Sequence, residues 1–498
     1  MLRSFIVAGL ASVALVTPAA AQPGRAVPPR TTGAPVIPTQ GAPGTGTPLS
    51  LEDALSSAAK ASEEIEVARY DVERSRSFVT TARAGYLPTI NGTASYQRTL
   101  ATEFDDISFG QPGMMTDEEI DLPFGRRNNW RVGVTASQPL FDGFRTRSQV
   151  AQAKSGVRQA ELGVTTTKTE LVLQVSTAYY DAVLADRQLE IAEVTLQQAE
   201  QTLKETQLKF NQGTAPEFDL VRAQVSRDNQ STILVQFRVQ RDVAYVQLRR
   251  LIGAPLDQPL SLTSRLDADD VDNMLGTARG AAGIPANTPR VAIEQAREQV
   301  VADEAGVKIA RSQWYPTIAA GTDLGLVSYE DQPFNSDWRT NWTLGVNLSI
   351  PIFDGFRRSA NVAANKAALK AARYQLQNVT EIAQVEAAQA DANVQASVVT
   401  LETTTRTVGQ AKRAYEIAEL RFSQGASTHL ELVDARVQLE QSQVNLARSQ
   451  HSLRLARMRQ ELLVGLRLGG IAPAAATSAA TAASAPIGGT STVQAVGF

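Results

Sequence analysis

Three carboxylates stand where they could act together: Asp219, Glu431 and Asp434. Each opens a helix that returns from a turn, and Glu431 and Asp434, three residues apart, share one face of theirs. Acids in a first helical turn complement the helix dipole by about 0.3 to 1 kcal/mol each. Gathered around a narrow pore, the same acids attract cations and repel anions. Spacing alone leaves both readings open. Catalysis, by contrast, lacks parts: the 498 residues contain no Cys and two His, His429 and His451, so thiol chemistry and multi-histidine metal sites are absent. There is no Gly-rich phosphate loop and no Ser-His arrangement. His429 sits beside a turn, where it titrates near neutral pH if exposed and otherwise serves as a polar turn residue. His451 follows Val444 by seven and reads as a packed interhelical residue. Glu103, Asp105, Asp106, Asp117, Glu118, Glu119 and Asp121 form an acidic stretch that either binds divalent cations or is simply solvated. With 48 Lys and Arg against 51 Asp and Glu, no long-range field exists to gather nucleic acid.

The elements that position these residues begin after an export signal. Residues 1–21 carry Arg3, an apolar run from Phe5 to Val16, Pro18 and Ala19-Ala20-Ala21, the pattern of a cleaved secretory peptide. Residues 22–48 are rich in Pro, Gly and Thr, and 467–498 in Ala, Ser and Thr; both read as flexible segments outside the fold. No later stretch reaches the ~18 apolar residues of a spanning helix.

The body is one pattern written twice. Asn129-Trp130 and Asn341-Trp342 lie 212 positions apart, as do Pro139-Leu140-Phe141-Asp142-Gly143-Phe144-Arg145 and Pro351-Ile352-Phe353-Asp354-Gly355-Phe356-Arg357. Phe210-Asn211-Gln212-Gly213 matches Phe422-Ser423-Gln424-Gly425 at the same offset. Pro88-Thr89-Ile90 matches Pro316-Thr317-Ile318 at 228, so the first copy holds 16 extra residues between its strands. Such duplication makes each copy a structural unit that packs on its twin.

Each copy predicts a helix, two strands and a long helical hairpin. Trp342, Leu344, Val346, Leu348 and Ile350 alternate with small and polar residues, as do Trp130, Val132, Val134 and Ala136, a period of two. The first repeat spans 49–253, with strands at 86–99 and 129–140 around an external loop at 100–128, and a helical hairpin at 142–253. An equatorial linker covers 254–288. The second repeat spans 289–466, with strands at 314–327 and 339–351, a loop at 328–338 and a hairpin at 354–466. Asp142 and Asp354 are suited to N-capping. From Gly143 to Phe210 there is no proline, and the ~1.5 Å rise per residue makes a rod of roughly 100 Å. Leu189, Leu196, Leu203 and Phe210 recur every seven residues with Ala185, Ala192 and Ala199 between them, and Leu401, Val408, Tyr415 and Phe422 repeat the seam, as in a coiled coil. Val225, Val239 and Val246, and Leu430, Val437 and Val444, lie on sevenfold spacing in the returning helices. Gly213 and Gly425 suit a left-handed helix end; Thr214-Ala215-Pro216-Glu217 and Thr428-His429-Leu430-Glu431 have the form of a capping box.

Four strands cannot close a membrane barrel, since the smallest use about eight and an open edge in lipid leaves backbone groups unpaired. The chain must associate with copies of itself. With its signal, duplication, Tyr-Leu-Pro-Thr (86–89) and Pro-Leu-Phe-Asp-Gly (139–143) motifs, proline-poor rods and Gly tips, the sequence resembles the TolC family of outer-membrane export ducts over residues 50–468. The resemblance implies a mixed α+β, mostly helical fold. In it a long antiparallel coiled-coil α-barrel in the periplasm joins a twelve-stranded trimeric β-barrel in the outer membrane, with four strands from each chain. It implies a homotrimer without enzymatic activity or cofactor, partnered by a periplasmic adaptor and an inner-membrane transporter, for type I protein secretion or multidrug efflux. A trimeric stalk or adhesin, with a structural coiled coil, is the alternative.

In that orientation Tyr86, Phe141, Trp314, Tyr315 and Phe353 fall at the periplasmic interface, and Trp130, Trp338 and Trp342 toward the outer one, as two aromatic girdles. The resemblance makes Glu431 and Asp434 constricting acids of a periplasmic gate, with Asp219 beside them. It makes Gly213, Thr214, Gly425 and Ala426 the tips that an adaptor touches. A Tyr and an Arg that lock the family's gate correspond to Phe422 and Ser427, whose side chains cannot make the same bonds.

Overall fold

The structure is a computed structural model and describes residues 46–101, 128–267, 271–284, 289–329 and 338–469. The export signal, the acidic stretch 103–121 and nearly all of the C-terminal tail lie outside the described residues. Fourteen elements follow in order: β1 (Thr47–Leu49), α1 (Leu51–Ala61), α2 (Glu63–Ala84), β2 (Thr89–Arg98), β3 (Asn128–Phe141), α3 (Arg145–Asn211), α4 (Glu217–Ile252), β4 (Leu260–Leu262), α5 (Val271–Ala282), α6 (Val291–Ser312), β5 (Thr317–Ser328), β6 (Arg339–Ser349), α7 (Arg357–Ser423) and α8 (His429–Leu462). The duplication is visible in the rods, since α3 and α7 are each 67 residues long. No described helix is long and apolar enough to cross a membrane.

The four long strands make one antiparallel sheet in the order β2-β3-β5-β6. Its register sorts the side chains into two faces, because directly opposed residues project to the same side. One face carries Ile90, Ala94, Tyr96, Trp130, Val132, Val134, Leu324, Leu326, Trp342, Leu344, Val346 and Leu348. The other carries Asn91, Thr93, Ser95, Thr135, Asp323, Asn341, Thr343 and Asn347 with glycines between them. An apolar side and a polar side on one sheet is the pattern of a wall between lipid and water. All of β2 and β6 is exposed; they are the two edges of the sheet.

Each strand-to-rod junction is made by two successive left-handed residues. Gly143 and Phe144 have φ of 66° and 64°, and Gly355 and Phe356 have 64° and 67°. At Gly143 the glycine is required twice over, since a Cβ there would lie 2.7 Å from the Tyr315 Cβ. Asp142 and Asp354 do cap the rods, but from two residues upstream of the N-cap position, which Phe144 and Phe356 occupy. The Asp142 carboxylate accepts from the Arg145 and Thr146 amides at 3.1 and 2.7 Å, and that of Asp354 from the Arg358 amide at 2.9 Å.

The main core lies near the middle of the rods, where Val175, Tyr179, Tyr180, Leu248, Met458 and Leu462 pack with Ala54, Leu55 and Ala58 of α1. Three segments read as linkers or flexible ends contribute to it or to its neighbour. Residues 47–49 form β1, paired in parallel with β4. Within 254–288, Met274, Ala278 and Ala282 bury one face of α5, because a four-residue apolar spacing survives inside that Gly- and Pro-containing stretch. Leu468 packs on Val379 and Ala383.

The sevenfold stripes divide differently from expectation. Ala185, Ala192, Ala199, Leu189, Tyr415 and Val444 are buried, whereas Val225, Val239, Val246, Leu430 and Val437 are exposed. The spacing marks an apolar stripe, not the element that covers it. The same contrast holds for the rods: α3 buries 22 residues, and the equally long α7 buries six, because among the described residues α7 packs mainly on α6 and α8. With Val67, Tyr70 and Phe78 of α2 and Tyr374, Val385 and Val399 of α7 exposed, the two sides of the chain carry unmet apolar surface of the kind that association covers.

Candidate functional site: the hairpin tips and the sheet

At the tip of each hairpin the rod ends in the same Gly turn. Gly213 and Gly425 both have φ of 72°. The Thr214 amide donates to Lys209 O at 2.9 Å and the Ala426 amide to Arg421 O at 2.8 Å, closing the last helical carbonyls. Gly213, Thr214, Gly425 and Ala426 are all exposed. The capping boxes are unequal. Thr428 is the N-cap of α8 and accepts from the Glu431 amide at 3.4 Å. Thr214 does not cap α4, whose N-cap is Pro216. It stands two residues too early, and its hydroxyl donates instead to Lys209 O at 2.9 Å.

The three acids also differ in setting. Glu431 and Asp434 are exposed on the first turns of α8, while Asp219 is half-buried in the first turn of α4. Asp219 faces His429, which is only 3% exposed, so the expected surface histidine is a buried one. Neither of its ring nitrogens has a hydrogen-bond partner. Burial holds the imidazole below its ordinary pKa, opposed by the Asp219 carboxylate and reinforced by Arg436 and Arg222. Its nearest ring is Phe422, edge-on with centroids 5.9 Å apart. Phe422 receives on its face the Lys209 ammonium, 4.6 Å from the centroid, which ties the end of α3 to the end of α7. Ser427 Oγ is buried without a partner.

Behind the tips lies a polar cluster that sequence reading missed. Buried Arg436 donates to Ser226 Oγ at 2.5 Å, and Gln230 donates to Glu440 Oε1 at 2.8 Å; both bonds join α4 to α8. Burial lowers the Arg436 pKa. Tyr415 donates to Glu419 at 3.1 Å, and burial first, then that carboxylate, pushes its phenol up to about 12. The only linear signal was Arg436 and Glu440 one helical turn apart. His451 packs between helices as expected, its Nε2 2.8 Å from Asp181.

The aromatic residues distribute along the sheet by register. Trp130 stacks on Tyr96 at 4.1 Å at the loop end of the strands. Trp342 pairs with Leu324, four residues along β5 from the Ser328 that pairs with Trp130. At ~3.3 Å per residue that is about 13 Å deeper, so the two do not share a level. Its indole N–H donates to Thr322 Oγ1 at 2.9 Å. Trp338 lies just before β6. At the rod end, Phe141 meets Phe144 at 5.5 Å, Phe353 meets Phe356 at 5.7 Å, Phe144 meets Tyr315 at 6.4 Å, and the Arg358 guanidinium lies 4.5 Å over Trp314. Tyr86 is exposed there. Phe144 and Phe356 join these ring contacts although neither was singled out; their place in the Asp-Gly-Phe motif was the available signal.

A family model described as "Outer membrane efflux protein" matches residues 54–254 and 286–465. The chain is 27% identical over 406 residues to the solvent efflux pump outer membrane protein SrpC of Pseudomonas putida, covering 80% of this chain and 81% of that protein. It is 25% identical over 399 residues to the outer membrane protein TolC of Vibrio cholerae, covering 77% and 84%. Among solved structures, CusC superposes with a TM-score of 0.68 at 18% identity, covering 84% of this chain and 92% of that one. VceC of Vibrio cholerae superposes at 0.66 and 20%, covering 84% and 96%.

Proposed function

This chain belongs to the outer membrane efflux protein family, and from that premise we propose how its surfaces divide the work of an exit duct. It is an outer-membrane protein with a tunnel reaching into the periplasm, a passive conduit and not an enzyme. The observation that carries the reading is the sheet: one apolar face, one polar face and two open edges, set on two 67-residue rods. Backbone groups on an open edge are untenable in lipid. Pairing β6 of one copy with β2 of the next, three times over, removes every edge and leaves a water-lined interior. A structural stalk gives no reason for the hydrated face.

The finer assignments rest on placement. Glu431 and Asp434, exposed at the start of α8, become rings of carboxylates at the periplasmic entrance and set its cation preference; Asp219 supports them from the half-buried position beside His429. Gly213, Thr214, Gly425 and Ala426 form the exposed tips that meet a periplasmic adaptor, which couples the duct to an inner-membrane transporter.

Planar-bilayer recording of the purified, full-length protein tests the duct. Ion-conducting steps are expected, and larger ones from a Glu431→Ala, Asp434→Ala double variant. Bilayers that stay silent with both proteins would refute the reading.

A further inference from the structure

The four places where a long strand meets a helix share a charge pattern that the duct reading leaves unused. Within eight residues of the rod end of a strand stand five exposed arginines: Arg83 before β2, Arg145 and Arg147 after β3, Arg311 before β5 and Arg357 after β6. The same windows hold two acids, Asp142 and Asp354. Both are committed to capping the rods, and Asp354 also holds the buried Arg358 at 2.9 Å. Among the described residues none of the five arginines is ion-paired. The nearest further acid along these helices is Glu304, seven residues before Arg311, and it pairs with Arg373.

The rest of the chain does not bring an anion to this level. Residues 1–45 and 470–498 contain no Asp or Glu. The far ends of β2 and β5, from which residues 102–127 and 330–337 run on, lie about 30 Å away at the usual strand rise. Helix α5, which Asp269 and Asp270 precede, packs in the main core with Tyr179, about 50 Å down the rod from Arg145. Further copies of the chain bring the same arginine-rich windows, so association adds to the charge. Helix dipoles do not explain the pattern either. Arg83 and Arg311 lie in last turns, where a cation is favoured, but Arg145, Arg147 and Arg357 lie in first turns, where it is disfavoured. What the five share is the border between sheet and rods, beside the exposed rings of Phe144, Trp314 and Phe356.

We propose that these arginines form a basic belt at the periplasmic border of the membrane, which holds the phosphates of phospholipid headgroups and prefers anionic lipid. Guanidinium forks grip phosphate oxygens in two-point fashion, and cations close to an anionic bilayer surface are attracted to it. The belt fixes the depth at which the sheet gives way to the rods. This rests on the reading of the sheet as a membrane wall and adds the lipid class that its rod end prefers.

The experiment incubates the delipidated, detergent-solubilised full-length protein with an equimolar mixture of phosphatidylglycerol and phosphatidylcholine, repurifies it and measures the lipids retained. The unaltered protein is expected to keep phosphatidylglycerol in at least about threefold excess, the enrichment that one kT of local potential gives a single negative charge. That excess falls toward one at about 1 M salt, where the screening length shrinks to about 3 Å, a readout that needs no variant. Arg145→Gln, Arg147→Gln and Arg357→Gln together are expected to remove most of it, and the same three changed to Lys to keep it. Losing first-turn cations relieves the helix dipole, so the Gln variant is expected to melt no lower than the unaltered protein. Arg98→Gln with Arg131→Gln, at the opposite end of the sheet, leaves the ratio in place. Enrichment that is absent from the unaltered protein, persists in high salt or in the Gln variant, or falls equally with Arg98→Gln and Arg131→Gln overturns the belt while leaving the membrane wall intact. A protein that retains neither lipid and enters vesicles of neither sinks the wall and the belt with it.

Discussion

His429 stands edge-on to Phe422 with ring centroids 5.9 Å apart, and neither imidazole nitrogen is hydrogen-bonded. Packed this way the ring is held neutral, since burial depresses its pKa below 6.5. Above pH 6.5 the packed and the loosened tip are both neutral and stability is at its full value. Below that, the loosened tip takes up a proton that the packed one refuses, and stability falls by up to about 1.4 kcal/mol per pH unit until the depressed value is reached. Amide hydrogen exchange across residues 420–435 is therefore expected to speed up from pH 7.5 to 5.5, after correction for intrinsic rates. His429→Leu should flatten that dependence; an unchanged slope in the variant would show that another group titrates.

Arg436 joins the two returning helices through Ser226. Substituting Arg436→Met fills its space without the guanidinium and leaves Ser226 unpaired. The expected cost is about 1 to 3 kcal/mol, seen as a lower melting temperature of the detergent-solubilised protein and as longer open periods in bilayers. Equal open probability in wild type and variant would show that the α4–α8 tie plays no part in holding the entrance.

The three acids proposed for the entrance are not equivalent. Glu431 and Asp434 are exposed, and Asp219 is half-buried against His429. Cation selectivity is expected to drop severalfold, about one kT of potential, on Asp434→Asn or Glu431→Gln. The larger consequence of Asp219→Asn is a further fall in the His429 pKa, because the opposing charge is lost. A selectivity loss from Asp219→Asn equal to that from Asp434→Asn would contradict this division.

Gly143 and Gly355 share a left-handed conformation but not surroundings. A Cβ on Gly143 meets Tyr315 at 2.7 Å, and one on Gly355 meets nothing within 4 Å among the described residues. The repeat offset of 228 makes Leu87 the counterpart of Tyr315, so Leu87 of a second copy is the residue expected to meet Gly355 in the proposed trimer. Both Ala variants pay about 1 kcal/mol for the backbone. Gly143→Ala is expected to lower the yield of folded chain, and Gly355→Ala chiefly the fraction running as trimer on unheated gels. Identical behaviour of the two would argue against that interface.

Strands, rods and turn glycines were legible in the sequence because each rests on local physics: period two in β3 and β6, an absence of proline in α3, and glycine where φ is positive. β5 begins at Thr317 and α7 ends at Ser423, within a few residues of where periodicity put them. What was illegible depends on partners distant along the chain. His429 looks like a polar turn residue until Phe422 and Arg436 close over it. Val239 and Val246 lie seven residues apart as in a hairpin seam, yet the hairpin leaves them exposed. The Arg436–Ser226 bond joins positions 210 apart, and no local pattern announces it.

The bare edges of β2 and β6 carry a genetic consequence. Because a ring is sealed only when every joint is made, one faulty member spoils two sound ones. Random mixing of equal amounts of normal and edge-defective polypeptide leaves about one assembly in eight wholly normal. A proline placed in β6 should therefore act dominantly, abolishing most transport in cells that still make the intact protein.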